Sequence, residues 1–166
     1  IGIIGLPNAG KSSLLAAITN ANPKIANYQF TTLNPNLGVA SYDNKEVTIA
    51  DIPGLIEGAH KGTGLGIQFL KHIERCKSLL HMIDISNNNL KQSYNQVKNE
   101  LKKYGSKLSK KKEKIILNKT DLIDENEVKK IVKDFSKNIK SEVITLSTLK
   151  KRSISKIKAK LISYAS

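Results

Sequence analysis

Gly5-Leu6-Pro7-Asn8-Ala9-Gly10-Lys11-Ser12 sets two glycines five residues apart and follows them with a lysine and a hydroxyl. The spacing, G-x-x-x-x-G-K-[ST], makes a loop whose backbone N–H groups, with the N-terminus of the next helix, point at phosphate oxygens. The glycines let the backbone wrap closely, Lys11 brings positive charge to the β- and γ-phosphates, and Ser12 offers one oxygen to an octahedral Mg²⁺. Ser13 lies in the same helix-opening turn. The loop binds a nucleoside polyphosphate without choosing its base.

The base is chosen more than a hundred residues later. Asn118-Lys119-Thr120-Asp121 follows an apolar strand and so sits at a carboxyl end of the same sheet, where such folds bind nucleotides. Guanine presents N1–H and the N2 amine side by side, and the Asp121 carboxylate can accept from both. Adenine presents an acceptor at N1, which would leave buried polar groups unpaired. The two motifs together point to GTP. Asp51-Ile52-Pro53-Gly54 closes another strand: Asp51 is placed to hold Mg²⁺ through water and the Gly54 N–H to meet the γ-phosphate. An ordinary strand-ending turn also uses Asp and Pro-Gly. Thr31 and Thr32 are candidates for the second protein ligand of Mg²⁺.

These residues need a scaffold that carries them to one edge. Apolar runs alternate with helix-like stretches along the whole chain, which is the pattern of a doubly wound α/β sheet with helices on both faces. Six strands are expected, over 1–4, 38–41, 46–51, 79–84, 113–118 and 142–146, in a mostly parallel sheet. Only Tyr42-Asp43-Asn44-Lys45 separates the second from the third, so that pair should be an antiparallel edge hairpin. Helices are expected over 11–20, 67–76, 90–108, 125–138 and 153–164. Two gaps without regular pattern remain, 21–36 and the glycine-rich 53–66, and loops of that length in a compact domain usually carry function.

The chain has 166 residues, 39% hydrophobic and 25% charged, enough for one domain spanning 1–166 with a real core. Its longest apolar run, Leu14 to Ile18, is far short of the roughly 18 residues of a membrane span, so no transmembrane insertion is expected. Cys76 is the sole cysteine, which excludes an internal disulfide or a multi-cysteine zinc site and fits a reducing, cytoplasmic setting. The chain opens on Ile1 without a basic leader, and is read as a domain cut from something longer.

Net charge is +14, unevenly spread: residues 1–100 carry 9 basic and 7 acidic side chains, residues 101–166 carry 19 and 7. A polyanionic partner and a merely solvated lysine-rich surface are both open, because only Arg75 and Arg152 of the 28 cations are arginines. Cys76 is expected to be a buried, inert thiol, and His72 and His81 to serve packing or surface. His60, in the second long gap, is a weaker candidate for assisting hydrolysis.

The phosphate loop, Phe30-Thr31-Thr32-Leu33-Asn34-Pro35-Asn36-Leu37-Gly38, Asp51-Ile52-Pro53-Gly54-Leu55-Ile56-Glu57-Gly58-Ala59-His60, Gly64-Leu65-Gly66 and His72-Ile73-Glu74-Arg75-Cys76 resemble the Obg GTPases. The resemblance covers essentially the whole chain. It implies a P-loop G domain acting in large ribosomal subunit assembly and stress response, whose longer members carry flanking domains. It makes Thr32 the magnesium threonine of the first switch and Ser147 the start of the last guanine-contacting motif, with Phe30, Leu122, Thr148 and Leu149 among the nucleotide contacts. Thr148 and Gln29 depart from the usual family residues. Asn8 resembles the asparagine with which relatives bind K⁺ near the phosphates, so Asn8, Lys11, Thr32 and Gly54 form the implied hydrolytic set. A plain role for Asn8 in the loop turn stands beside that.

The residue after Asp51-x-x-Gly54 is Leu55, which cannot orient an attacking water as a glutamine there does. Slow intrinsic hydrolysis is expected, and a two-state switch in which the γ-phosphate and Mg²⁺ order 21–36 and 53–66. A fast metabolic NTPase competes poorly with that reading, whereas a passive guanine-nucleotide or alarmone sensor stays open. The implied partner is the large ribosomal subunit, with lysines between Lys98 and Lys119 as candidate RNA contacts; DNA binding is not expected, and a monomer is.

Overall fold

The computed structural model describes residues 1–19, 24–25, 36–52, 72–103, 105–137 and 139–165. Its strands are β1 (Gly2–Gly5), β2 (Lys24–Ile25), β3 (Asn36–Tyr42), β4 (Lys45–Asp51), β5 (Leu79–Asp84), β6 (Glu113–Asn118) and β7 (Val143–Thr145). Its helices are α1 (Lys11–Ile18), α2 (Leu90–Lys103), α3 (Ser106–Ser109), α4 (Glu125–Ser136) and α5 (Lys151–Ala165), with a further helical turn over 72–75.

The strands form one sheet in the order β2-β3-β4-β1-β5-β6-β7. All six expected strands are present, and the two-residue β2 adds a seventh at the edge, antiparallel to β3 within a stretch read from sequence as patternless. β1, β4, β5, β6 and β7 run parallel. β3 and β4 make the expected antiparallel hairpin, turned by Asp43 and Asn44 at φ 52° and 56°. Positive φ at both central residues gives a turn whose twist matches that of its strands.

The central strands are buried on both faces, which explains why they are mostly apolar. Successive residues serve opposite layers. Ile3, Leu80, Met82 and Ile116 pack with Leu14, Leu15 and Ile18 of α1 and Ile157 and Leu161 of α5. On the other face Ile4 and Leu79 meet Ile73, Val97 and Leu101, and Ile83, Ile115 and Leu117 meet Phe135 of α4. Helices thus cover both faces as expected.

The helix expected over 90–108 is two helices. Gly105 has φ 136°, a conformation open to glycine, and it ends α2 and starts α3. α4 begins at Asp124, whose side chain accepts from the Asn126 N–H, with Glu125 and Glu127 in its positive first turn. Among the described residues, no helix is long and apolar enough to cross a membrane.

Candidate functional site

The expected phosphate loop leaves β1 at Gly5 and enters α1 at Lys11. Gly5 has φ 151° and Gly10 φ 95°. A Cβ on Gly5 would come within 2.3 Å of the Met82 carbonyl oxygen, and one on Gly10 within 2.3 Å of the Asn118 side-chain nitrogen. Both glycines are therefore required by dihedral angle and by space. Lys11 Nζ donates to the carbonyls of Gly5 (3.1 Å) and Leu6 (3.0 Å), which folds its side chain back over the loop. Leu6 is half-buried, Pro7 and Asn8 are exposed, and Ala9 is buried. Asn8 has φ 63°, which asparagine tolerates better than most residues, and among the described residues no hydrogen bond of its side chain is present.

Asp51 ends β4 beside the loop. Ser12 Oγ donates to Asp51 Oδ2 at 2.6 Å, so the two expected magnesium-binding residues are in direct contact. Asp51 is only 3% exposed, and its Oδ1 is buried with no hydrogen-bond partner among the described residues. A buried carboxylate oxygen without a donor is costly unless a cation or bound water completes it. The donor set here, one hydroxyl and one carboxylate, suits a hard cation that takes its remaining oxygens from phosphate and water. Ser13 is exposed on the same turn, and Ile52 is buried under Ile4.

Asn118 ends β6 and is completely buried. Its Nδ2 donates to the Ala9 carbonyl at 3.0 Å, tying the base motif to the phosphate loop across 109 residues of sequence. Lys119 adopts the left-handed conformation, φ 66° and ψ 36°, and its Nζ bonds Asp84 Oδ2 at 2.6 Å. Asp84, at the end of β5, was missed by sequence reasoning. Its only sequence signal is an acid closing an apolar strand, which names no partner. Burial alone would raise the Asp84 carboxyl, but hydrogen bonds from Lys119 and Ser86 outweigh it and hold the group below the usual range.

Thr120 Oγ1 donates to the Leu146 carbonyl at 3.1 Å, and Ser147 Oγ donates to Asp121 Oδ1 at 2.5 Å. Ser147 is itself fully buried and also accepts from the Leu149 N–H. The Asp121 carboxylate is thus held by Ser147 of the last motif, and Thr148, which follows Ser147, is half-buried. Leu122, directly after Asp121, and Leu149, two residues after Ser147, are 62% and 81% exposed. Phe30, Thr31, Thr32, Pro53, Gly54, Leu55 and His60 lie outside the described residues.

Elsewhere Cys76 is half-buried where a buried thiol was expected; it donates to the His72 carbonyl, and burial pushes its thiol up, which disfavours the reactive thiolate. His72 and His81 are both buried; His81 pairs with Glu113 at 2.8 Å and stacks on Tyr94. Among the described residues no group of three His, Cys, Asp or Glu could hold a metal ion.

A phosphate loop, a buried Asp beside its serine and an Asn-Lys-x-Asp segment hydrogen-bonded back to the loop share one sheet edge. Residues 1–119 match the family model described as a 50S ribosome-binding GTPase. The chain belongs to that GTPase family. Among curated relatives, GTPase Obg of Pelagibacter ubique is 72% identical over 100% of this chain and 51% of its own length. GTPase Obg of Rickettsia felis is 51% identical over 95% of this chain and 48% of its own. These relatives bear out the Obg resemblance, and the chain spans about half their length.

Solved structures agree on the fold of this GTPase domain. The cytosolic domain of the Thermotoga maritima FeoB iron transporter, in its GMPPNP form, superposes with TM-score 0.74 at 22% identity, covering 99% of this chain and 62% of that one. Aquifex aeolicus Era bound to GDP and aluminium fluoride gives 0.73 at 22% identity, with 98% and 55% covered.

Proposed function

We propose that this chain binds GTP and GDP at the carboxyl edge of its sheet, hydrolyses GTP slowly, and acts as the switch of a factor assembling the large ribosomal subunit in the cytoplasm. The observation that carries the nucleotide assignment is the bond from Asn118 Nδ2 to the Ala9 carbonyl. It fixes the guanine motif against the phosphate loop, so one molecule can engage both. GDP- and GMPPNP-bound neighbours of the same fold support the reading, as does the ribosome-binding description of the family.

In this reading the loop N–H groups from Asn8 to Ser13 surround the phosphates, and Lys11 turns from the Gly5 and Leu6 carbonyls toward the β- and γ-phosphates. Asp121, held by Ser147, accepts from guanine N1–H and N2, while Leu122 and Leu149 cover the base. Ser12, Thr32 and Asp51 would hold Mg²⁺, which neutralises charge on the phosphates. Gly54 would offer its N–H to the γ-phosphate. Water attacks the γ-phosphorus, its bond to the bridging oxygen breaks, and GDP and phosphate leave. With Leu55 in place of a water-orienting glutamine, the unassisted rate should be on the order of 10⁻⁴ to 10⁻² s⁻¹.

Asn8, whose side chain has no hydrogen bond among the described residues, would bind K⁺ at the phosphates and stand in for an arginine finger. Hydrolysis should then be faster in K⁺ than in Na⁺, with the difference lost in Asn8→Ala; equal rates in both salts would refute the role. The switch itself is tested by sedimenting the chain with large ribosomal subunits in GDP and in a non-hydrolysable GTP analogue. Tighter association with the analogue is expected, and no association in either state would overturn the ribosomal assignment.

A further inference from the structure

Residues 101–112 hold six lysines and no acid. They form the end of α2, the Gly105 break, α3 and the turn into β6, at the amino ends of β5 and β6, where Leu79 N–H meets the Lys112 carbonyl. β6 separates this region from the nucleotide motifs by about 20 Å, at roughly 3.3 Å per residue. The flanking acids are already engaged. Glu100 and Glu113 are buried, Glu100 pairs with Lys103, and Glu113 with Lys98 and His81. Glu142, further along the same end of the sheet, is taken by Lys114 and Lys160.

Lys102, Lys107, Lys110 and Lys112 are exposed and form no ion pair among the described residues. Lys111 is anchored through its ammonium to the Glu74 carbonyl, a neutral acceptor that leaves its charge uncompensated. The large apolar residues exposed among the described residues, Val39, Tyr42, Leu122 and Leu149, all lie elsewhere. A protein partner needs an apolar centre to its interface, which this patch lacks. Tyr104 lies outside the described residues; among the described residues of 101–112 there is no arginine or exposed aromatic to read base edges or stack on bases. A charge-only surface suits a regular array of phosphates.

We propose that this lysine cap is a docking surface for the phosphodiester backbone of an RNA duplex, independent of base sequence and of the bound nucleotide. The inference rests on the ribosomal reading only for where such RNA would be met.

The test is fluorescence anisotropy of a short RNA duplex, and of a DNA duplex of the same sequence, titrated with this chain across about 50 to 200 mM salt. Lys102, Lys107, Lys110 and Lys112 are changed together to Gln, and as a control of equal charge so are Lys129, Lys133, Lys140 and Lys156. With four phosphates neutralised, the log–log salt slope of the cap variant should fall by about 3 to 4, and its low-salt affinity by at least about tenfold. The control should lose far less, RNA should bind at least as well as DNA, and affinity for a fluorescent GDP should be unchanged in both. Equal losses in the two variants, an unchanged slope, binding of DNA alone, or equally tight binding of an acidic polypeptide would each overturn the proposal. Subunit sedimentation in GDP and analogue fails separately if the switch reading is wrong.

Discussion

The two ends of this sheet solve opposite problems with polar residues. At the carboxyl end Asp51, Asn118 and Ser147 are nearly or wholly buried, and each reaches a partner in a distant segment. At the amino end Lys102, Lys107, Lys110 and Lys112 stand in solvent without ion pairs among the described residues. Burial makes a single group decisive, because an unmatched donor or acceptor has no water to turn to. Exposure makes groups additive, because each charge is hydrated and screened independently. Selectivity should therefore depend on individual residues at one end and on the number of charges at the other.

The sharpest break in that comparison is Asp121→Asn. It exchanges one acceptor oxygen for a donor opposite guanine N1–H and N2, and should cost on the order of 10⁴-fold in GTP affinity while admitting xanthosine nucleotides. Competition against a fluorescent GDP measures it. Lys11→Ala comes next: removal of a charged donor from the phosphates should weaken GTP binding about 10- to 150-fold, corresponding to roughly 1.5–3 kcal/mol. A Lys112→Gln change in the same titration should leave GTP affinity unmoved, which is how the two ends differ.

Gly10→Ala should lower folding stability by about 1–3 kcal/mol in chemical denaturation, from strain at φ 95° and from pressing on Asn118. If its denaturation midpoint matches that of the unaltered chain, the loop is looser than its geometry indicates.

The smallest effect belongs to Glu142 at the amino end. Hydrogen bonds from Lys160 and Lys114 hold its carboxyl down to about 2. A carboxyl depressed in the folded state favours folding at pH above its unfolded value near 4.3, and that contribution fades as pH falls from there toward about 2. The group is 38% exposed, so after solvent screening the contribution is at most about 1 kcal/mol. Glu142→Gln should flatten the acid limb of a stability–pH curve by that amount and leave neutral GTP binding intact.

Much of this was legible in the residues. Sequence pattern marked the six main strands to within two residues at each end, because strands buried on both faces, such as β1 and β5, admit little but apolar residues, while β3 and β4 alternate buried and exposed positions. The hairpin followed from a connection too short for a crossover. Three features were not legible. The helix expected over 90–108 breaks because Gly105 takes a positive φ, and apolar spacing is blind to that choice. β2 is two residues long and exists only through pairing with β3. Asp84 looked like any strand-ending acid until β5 and β6 lay side by side and brought Lys119 to it.

The sequence by itself determined the chemical types: a loop with two glycines and a lysine, an acid closing an Asn-Lys-x-Asp segment, and a lysine excess confined to the last two-fifths. Those follow from side-chain chemistry and local spacing. The tertiary structure alone decided which of them meet. Asn118 reaches Ala9, Ser12 reaches Asp51 and Ser147 reaches Asp121 because parallel strands joined by crossovers bring their carboxyl ends to one edge. The same topology sends the turn into β6 to the other edge, so Lys11 and the lysine cap lie apart on one sheet.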